Sequence, residues 1–349
     1  MEFLNLKECI IENHGTVHRK LINEFLMKQG LRAEESIEYT FALLNEDKVV
    51  ATGSLDGKVI KCVAVDENYQ GMGITNKVIS NLLNEAHRRG RQHLFVYTKP
   101  KNLSIFSDLG FYKIAEVSQE VVLLENQPRG IDGFIEEISS ARRDGSIISA
   151  IVVNCNPFTL GHQYLIEKAA KESDFLHIFV VSEDKSDFPT EVRLKLVKEG
   201  TKHLENVIVH QTKNYLISSA TFPSYFMKKY DDTVKTHALL DIQIFAKYFV
   251  PALGINRRYV GEEPFCQLTS KYNSTMKTLL PNHGVEVIEV PRRKGDREVI
   301  SASRVRKLLR EGKLINVKQL VPINTYQFLI SEEGQRIIEK MEKALALIS

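Results

Sequence analysis

The chain contains no tryptophan, and only four of its 349 residues are cysteines. The cysteines form no CxxC pair and have no paired histidine spacing beside them; they are Cys9, Cys62, Cys155 and Cys266. A zinc site needs closely spaced cysteine and histidine ligands, and a disulfide framework is typical of small secreted domains. The spacing indicates neither, so we expect reduced thiols, as in a cytosol.

Long hydrophobic runs are also missing. The longest apolar stretches, such as 147–153 and 175–181, are far shorter than the roughly 20 residues that cross a bilayer. Glu2, Lys7 and Glu8 make the N-terminus unlike a secretory signal. We therefore expect a cytoplasmic protein with no membrane partner.

A strong charge of either sign is absent as well. Lysine plus arginine number 47 and aspartate plus glutamate number 44, so no nucleic-acid partner is expected. The hydrophobic fraction of 43% and the charged fraction of 26% are those of an ordinary globular protein. Because one hydrophobic core stops growing at roughly 250 to 300 residues, the length predicts two domains.

The first domain is predicted to span residues 1–126 as a mixed α/β unit. Apolar residues at helical spacing predict helices at 13–30, 74–89 and 103–109. Strand-like runs alternate with these helices, at 37–44, 48–55, 59–65, 93–98, 111–117 and 120–124. This order of elements predicts a mixed sheet covered by helices.

Beyond residue 126 the pattern changes. The stretch 127–146 has the composition of a linker around a small charged helix, with Pro128, Gly130, Gly133 and Gly145. The second domain, 147–349, begins with an almost continuous apolar run at 147–153, which is typical of a parallel strand buried on both faces. Further strands are predicted at 175–182, 207–210, 258–260 and 285–290, and helices at 160–171, 191–199, 236–249 and 304–312. This alternation predicts a doubly wound, Rossmann-like parallel sheet with a C-terminal helical tail.

Where the first strand of that sheet ends, the sequence runs Asn154-Cys155-Asn156-Pro157-Phe158-Thr159-Leu160-Gly161-His162. The carboxyl end of a strand in an open α/β sheet is a usual place for a ligand. Gly161 allows close approach of the backbone to a ligand, and amides at the start of a helix attract anions. His162 in the first turn can donate a hydrogen bond to a phosphate oxygen. The segment therefore predicts a phosphate site.

A second anion site is predicted far downstream, at 300–306. The sequence Ile300-Ser301-Ala302-Ser303 precedes a predicted helix whose first turn carries Arg304 and Arg306. Serine hydroxyls, helix amides and a guanidinium together suit a leaving pyrophosphate. Either element alone is more often an ordinary capped helix, but the two in this order are more specific.

These two segments resemble the motifs of the nucleotidylyltransferase superfamily, (H/T)xGH and ISxTxxR. The matching residues are Thr159, Gly161, His162, Ile300, Ser301, Ser303 and Arg306, with Ser303 where threonine is usual. The resemblance implies binding of ATP with Mg²⁺, catalytic roles for His162 and Arg306, and ATP contacts that also include Asn156 and Phe158. It implies electrostatic stabilisation of the α-phosphate as pyrophosphate leaves. No protein side chain is assigned to the metal.

The first domain carries Gln70-Gly71-Met72-Gly73-Ile74-Thr75 between a strand and a helix. This loop resembles motif A, (Q/R)xxGx(G/A), of the GCN5-related N-acetyltransferases, with Thr75 where glycine or alanine is usual. The resemblance implies an acetyltransferase-like domain whose loop amides bind the pyrophosphate of coenzyme A or a similar pantetheine group. Phe106 stands where many of these enzymes have a tyrosine general acid, which a thiol that accepts an acetyl group would not need.

Over nearly its full length the chain resembles the [citrate (pro-3S)-lyase] ligase family. Three further segments carry this resemblance: 188–189 followed by Arg193, 218–226, and 261–264. The resemblance implies an ATP-dependent acid–thiol ligase that forms acetyl-AMP and acetylates a carrier subunit of citrate lyase, thereby activating citrate lyase. The acceptor is the thiol of the carrier's dephospho-CoA-derived prosthetic group, and acetate is the other substrate.

Other interpretations stay open at this point. The chain could be an adenylyltransferase for a mononucleotide or phosphopantetheine, or a sensor whose first domain binds acetyl-CoA. Arg193 could bind acetate or face solvent on its helix. The charged run with Arg292, Arg293, Lys294 and Arg297 could steer phosphates or an acidic carrier, but is more often a solvated loop.

Overall fold

The computed structural model describes residues 6–12, 16–32, 34, 36–182, 186–218, 221, 233–264, 266–292 and 300–346. The chain divides into two compact units, Met1–Gly130 and Ile131–Ser349. Within the described part of the chain, no helix is both long enough and apolar enough to cross a membrane.

The first unit is built on a seven-stranded mixed sheet with the order β1-β2-β3-β4-β5-β7-β6. Its strands are β1 Lys7–Glu12, β2 Tyr39–Asn45, β3 Lys48–Asp56, β4 Val59–Val65, β5 Phe95–Thr98, β6 Tyr112–Val117 and β7 Val121–Glu125. Its helices are α1 Thr16–Lys28, α2 Ile74–Arg88 and α3 Leu103–Asp108. The predicted mixed α/β fold is confirmed. Strand β1 was not predicted, because half of its short sequence is charged or polar and it lies at the edge of the sheet.

Helix α2 packs against this sheet because its apolar positions recur on one face. Val78, Ile79 and Leu82 are fully buried in the core of the unit. Gly53 of β3 permits the close approach, since a Cβ atom there would lie 2.6 Å from a methyl carbon of Val78. The packing places the N-terminus of α2 at the end of β4.

The second unit contains a five-stranded parallel sheet with the order β10-β9-β8-β11-β12. Its strands are β8 Ile148–Val153, β9 Phe175–Val180, β10 Val207–Gln211, β11 Arg257–Gly261 and β12 Glu286–Val290. The order reverses at β8, with β9 on one side and β11 on the other. The predicted doubly wound parallel sheet is confirmed, and the end of β8 is its topological switch point, where such sheets bind ligands.

Helices cover this sheet and continue beyond its last strand. They are α4 Gly130–Ser139, α5 Leu160–Lys171, α6 Thr190–Thr201, α7 Thr233–Ile244, α8 Val250–Leu253, α9 Gln267–Leu279, α10 Ala302–Arg310, α11 Leu314–Val317, α12 Ile323–Ile330 and α13 Glu332–Ala346. A π-helical turn, Phe245–Phe249, lies between α7 and α8. The last two helices join the core through buried residues such as Leu329 and Ile338.

The stretch 127–146, predicted as a linker, contains α4. One face of α4 is buried, and its Phe134 ring stacks on Tyr215 with ring centroids 5.5 Å apart. Phe134 also meets Phe249 edge to face. One face of α4 therefore packs within the second unit, to which the stretch belongs from Ile131 onward.

Candidate functional site

The loop that follows β8 leads into α5 through residues 154–159. Cys155 is fully buried with a positive φ of 50°, and the Asn156–Pro157 peptide bond is cis. Thr159 then caps α5 in a reciprocal capping box with His162: the Thr159 hydroxyl accepts from the His162 amide, and the His162 ring accepts from the Thr159 amide. The box holds the imidazole over the first turn of the helix.

The hydrogen bonds of His162 determine its tautomer. The Thr159 amide donates to Nδ1 at 3.1 Å, so Nδ1 carries no proton. In a neutral imidazole the proton must then be on Nε2. Burial and, to a smaller degree, the positive charges of Arg292 and Arg306 together lower the pKa of His162 to about 4. His162 is therefore a neutral residue with an Nε2–H donor at physiological pH.

This assignment predicts how His162 titrates. In ¹⁵N NMR of the nucleotide-free protein, the ring is expected to stay in the neutral Nε2–H form from pH 8 to pH 6 and to protonate only near a pKa of about 4. The unfolded chain takes up this proton near pH 6.5. Because the folded pKa lies below the unfolded one, the contribution of His162 to stability is full above pH 6.5 and falls as the pH decreases toward 4.

The histidines of the same protein unfolded in urea are the reference for this titration. Protonation of folded His162 with a midpoint near 6.5, or a proton on Nδ1, would contradict the assignment.

The downstream motif lies directly against the first one. Ser301 caps α10 by accepting from the Arg304 amide at 3.2 Å. The carbonyl oxygen of the preceding Ile300 faces Gly161, so a Cβ atom on Gly161 would lie 3.1 Å from it. A larger residue at this position would crowd the point where the N-termini of α5 and α10 converge. Two segments far apart in sequence form one cluster of helix amides, hydroxyls and a histidine.

Arg306 crosses from α10 to the loop after β8. Its Nη1 donates to the carbonyl oxygen of Asn156 at 2.5 Å, and its Nη2 lies 3.3 Å from the hydroxyl of Ser303. The Arg306 Nε forms an ion pair with Asp187 at 3.1 Å. The guanidinium is thus held beside the first motif by groups from three segments.

Phe158 and Asn156 are buried side chains that contact other residues of the site. The Phe158 ring is fully buried and parallel to the imidazole of His162, with centroids 6.1 Å apart and an angle of 14° between the planes. It packs against Gly200 of α6, where a Cβ atom would collide with the ring. Asn156 is also buried, and its side-chain oxygen accepts from the Phe188 amide at 3.0 Å. Both side chains orient neighbouring groups.

Arg193 neither faces solvent nor is available to acetate, so both sequence-based interpretations of this residue are wrong. It is fully buried, and its guanidinium donates to the carbonyl oxygens of Asn154, Val181 and Phe188 and to the Thr190 hydroxyl. These acceptors come from the ends of β8 and β9 and from the loop before α6. A single arginine within the apolar positions of α6 was the signal that could have identified this role.

Asp187 is a site residue that the sequence did not single out. It lies in the loop between β9 and α6, and it bridges Arg306 and Arg310 of α10. Lone aspartates in loops are common, so the sequence alone offered no signal.

The described part of the chain holds no group of three His, Cys, Asp or Glu side chains that could bind a metal ion. Where the N-termini of α5 and α10 converge, both oxygens of Asp187 are engaged by arginines. The N–H and O–H donors there suit phosphate anions.

In the first unit, the loop between β4 and α2 forms a nest of exposed amides. Gly71 and Gly73 have φ angles of 76° and 73°, and a Cβ atom on either would meet nothing within 4 Å. Helix α2 begins at Ile74 without a side-chain cap. Gln70 and Met72 are exposed on the same loop, and Thr75 lies in the first helical turn. Uncapped amides with open space in front of them suit a phosphate group.

The sheet of the first unit opens beside this loop. Strands β4 and β5 are parallel, but they pair only at Val59 with Phe95 and at Ile60 with Val96. Beyond that point their edges separate, and β4 is bulged at Cys62, which has a positive φ of 55°. Phe106 is buried edge to face against Phe111 and therefore belongs to the core.

The charged run is only partly described. Arg292 donates through Nε to the Glu262 carbonyl at 2.7 Å and forms an ion pair with Glu263. Arg293, Lys294 and Arg297 lie outside the described residues, as do residues 219–220 and 222–226 of the segment 218–226.

Comparison with known proteins identifies the relatives of both units. Residues 148–329 match the family model described as the citrate lyase ligase C-terminal domain, and residues 11–125 match an acetyltransferase (GNAT) domain.

Curated relatives match across nearly the whole chain. The chain is 40% identical to the [Citrate [pro-3S]-lyase] ligase of Klebsiella pneumoniae, over 89% of this chain and 92% of that protein. It is 38% identical to the Escherichia coli K12 protein of the same name, over 88% of this chain and 89% of that protein. It is 39% identical to the Haemophilus influenzae protein of the same name, over 91% of this chain and 97% of that protein. Identity at this level over so much of both lengths means that the chain is a member of the citrate lyase ligase family.

Proposed function

We propose that this enzyme uses ATP to acetylate a thiol on the carrier subunit of citrate lyase, with acetyl-AMP as the intermediate, and so activates citrate lyase. The observation that carries the proposal is the convergence of Gly161 with Ile300 and of Arg306 with Asn156. The name [Citrate [pro-3S]-lyase] ligase, borne by relatives at about 40% identity, supports the choice of reaction.

The first half-reaction belongs to the second unit. A carboxylate oxygen of acetate attacks the α-phosphorus of ATP, the bond to the bridging oxygen breaks, and pyrophosphate leaves with the electron pair. Negative charge grows on the oxygens around the α-phosphorus and on the leaving group. Neutral His162 donates through Nε2–H, Arg306 supplies positive charge, and the N-termini of α5 and α10 supply amide dipoles.

ATP contacts follow from the same cluster. Thr159, Gly161, Ser301 and Ser303 border the phosphates, while Asn156 and Phe158 hold the loop and the imidazole in place. Mg²⁺ enters with the ATP phosphates as part of the substrate, which agrees with a cluster rich in N–H and O–H donors. No step depends on a proton from a side chain, because both leaving groups are stable anions at neutral pH.

The second half-reaction is assigned to the first unit. The loop Gln70 to Thr75 binds the pyrophosphate of the dephospho-CoA-derived prosthetic group. The edges where β4 and β5 separate accept its pantetheine arm. The thiolate sulfur attacks the acetyl carbonyl carbon, the carbon–oxygen bond to AMP breaks, and AMP leaves with the electron pair. A thiol with a pKa near 8.5 is easily deprotonated near neutral pH, so this step does not require a tyrosine at position 106, where the chain has a core phenylalanine.

The proposal is tested by following labelled acetate. Incubation of the enzyme with ATP, Mg²⁺, labelled acetate and deacetylated citrate lyase is expected to transfer label to the carrier subunit, release AMP and pyrophosphate, and restore lyase activity. Omitting ATP is the control. Pyrophosphate exchange that depends on a mononucleotide or phosphopantetheine, with no label on the carrier, would contradict the proposal and favour an adenylyltransferase.

A further inference from the structure

Asp187 lies at the meeting point of three segments of the second unit. One carboxylate oxygen is 3.1 Å from the Arg306 Nε, and the other is 2.7 Å from Nη2 of Arg310. The Asn156 side-chain nitrogen lies 3.5 Å from the Arg306-facing oxygen. Asp187 thus joins α10 and the loop after β8 through its own loop after β9.

Hydrogen bonds of the next residue hold the backbone at Asp187 in place. Its neighbour Phe188 donates its amide to Asn156 and gives its carbonyl oxygen to buried Arg193. Arg193 also holds Asn154 and the end of β9. The backbone that follows the carboxylate is therefore held by hydrogen bonds at Phe188, whereas the arginine side chains that the carboxylate binds have several rotatable bonds.

This geometry determines how the Arg306 guanidinium is presented. A planar guanidinium held at Nε by a carboxylate and at Nη1 by the Asn156 carbonyl keeps a single orientation. An arginine that is already oriented loses no further conformational entropy when charge develops on the phosphates. Its positive charge therefore stabilises mainly the transition state.

We propose that Asp187 is a positioning residue for Arg306, and that it raises the rate of adenylate formation by orienting that guanidinium. This proposal rests on the function proposed above. Arg310 is held by the same carboxylate but contacts neither motif, so its role is to balance charge at the surface, where its side chain is 36% exposed.

Asp187→Asn tests the proposal, because it keeps the size of the side chain and removes the charge that binds both arginines. Acetate-dependent ATP–pyrophosphate exchange is expected to lose about 10- to 100-fold in kcat, while the KM for ATP changes less than about threefold. Arg310→Gln is the matched control, since it removes one cation from Asp187 and leaves the Arg306 contact intact. It is expected to change kcat less than about threefold.

A double-mutant cycle separates positioning from a general structural effect. If Asp187 acts through Arg306, Asp187→Asn should have no further effect on kcat in an Arg306→Gln background, so the two losses are not multiplicative. Multiplicative losses, a normal kcat in Asp187→Asn, or an equal loss in Arg310→Gln would each overturn the inference.

A measurement without substrates keeps this inference separate from the proposed reaction. The NMR signal of the Arg306 Nε–H proton is assigned through its loss in Arg306→Gln. In the wild type and in Arg310→Gln this proton should exchange slowly with water. It should exchange rapidly in Asp187→Asn. If the wild-type protein lacks acetate-dependent ATP–pyrophosphate exchange but its Arg306 Nε–H proton is protected, the proposed reaction is overturned and the contact is retained. If that proton exchanges rapidly with water in the wild type, the contact is overturned.

Discussion

Replacing His162 by alanine is expected to lower acetate-dependent ATP–pyrophosphate exchange by about a hundredfold or more, the usual effect of losing one donor aimed at developing charge. The neutral Nε2–H of His162 is such a donor, because the Thr159 amide occupies Nδ1. The cost in stability should be only about 1 kcal/mol, since the Thr159 hydroxyl still caps α5. Exchange kinetics and a urea unfolding curve measure the two effects.

Substitutions of Gly71 and Gly73 in the first unit are expected to have the opposite pattern of effects. Asparagine tolerates positive φ better than other side chains. Gly71→Asn with Gly73→Asn should therefore fold, place side chains in the open space of the loop, and leave pyrophosphate exchange unchanged. Acetylation of the carrier should fall at least about tenfold, since each blocked amide removes a hydrogen bond to an ionised group worth about 1.5 kcal/mol or more.

Matched controls exist for both halves of this comparison. Gly90→Asn has the same φ of 73° and the same open surroundings at the other end of α2. His203→Ala removes an exposed histidine whose Nε2 lies 3.2 Å from the Glu167 carboxylate. Both controls should retain exchange and acetylation. Loss of exchange in the glycine variant, with exchange preserved in His162→Ala, would reverse the division of labour between the units.

Replacing Arg193 by methionine is expected to lower the free energy of unfolding of the second unit by about 3 to 5 kcal/mol, because several buried oxygens lose their donor at about 1 to 3 kcal/mol each. Methionine fills most of the volume but leaves the carbonyl oxygens of Asn154, Val181 and Phe188 without their donor. Because these groups shape the loops around Asp187 and Asn156, the variant should also lose exchange activity. Urea unfolding followed by far-UV circular dichroism measures the change.

Two further variants sharpen this result. Lys195→Met removes an exposed charge from the same helix and should change stability by less than about 0.5 kcal/mol. Arg193→Lys keeps the charge but cannot reach acceptors spread over three segments, so it should remain clearly destabilised. A lysine variant as stable as the wild type would mean that the charge, and not the shape of the guanidinium, holds the loops.

Much of this protein follows from local patterns in the sequence. The continuous apolar run at 147–153 predicted a buried parallel strand, and the predicted helix 160–171 has the bounds Leu160–Lys171 in the structure. Both fold classes were predicted correctly because apolar periodicity reports directly which face of each element is buried. Edge strand β1 escaped this logic, since an edge strand with charged residues buries little.

The sequence by itself also determined the chemical groups of the site: a threonine-capped helix with a glycine and a histidine, and a serine-capped helix with an arginine. Only the tertiary structure decided that Gly161 lies against Ile300, that Arg306 reaches Asn156, and that Arg193 and Asp187 contact the loops and the arginine around them. The physical reason is that capping and periodicity are local and can be read along the chain. Which loops meet at the end of β8 depends instead on the order of strands in the sheet.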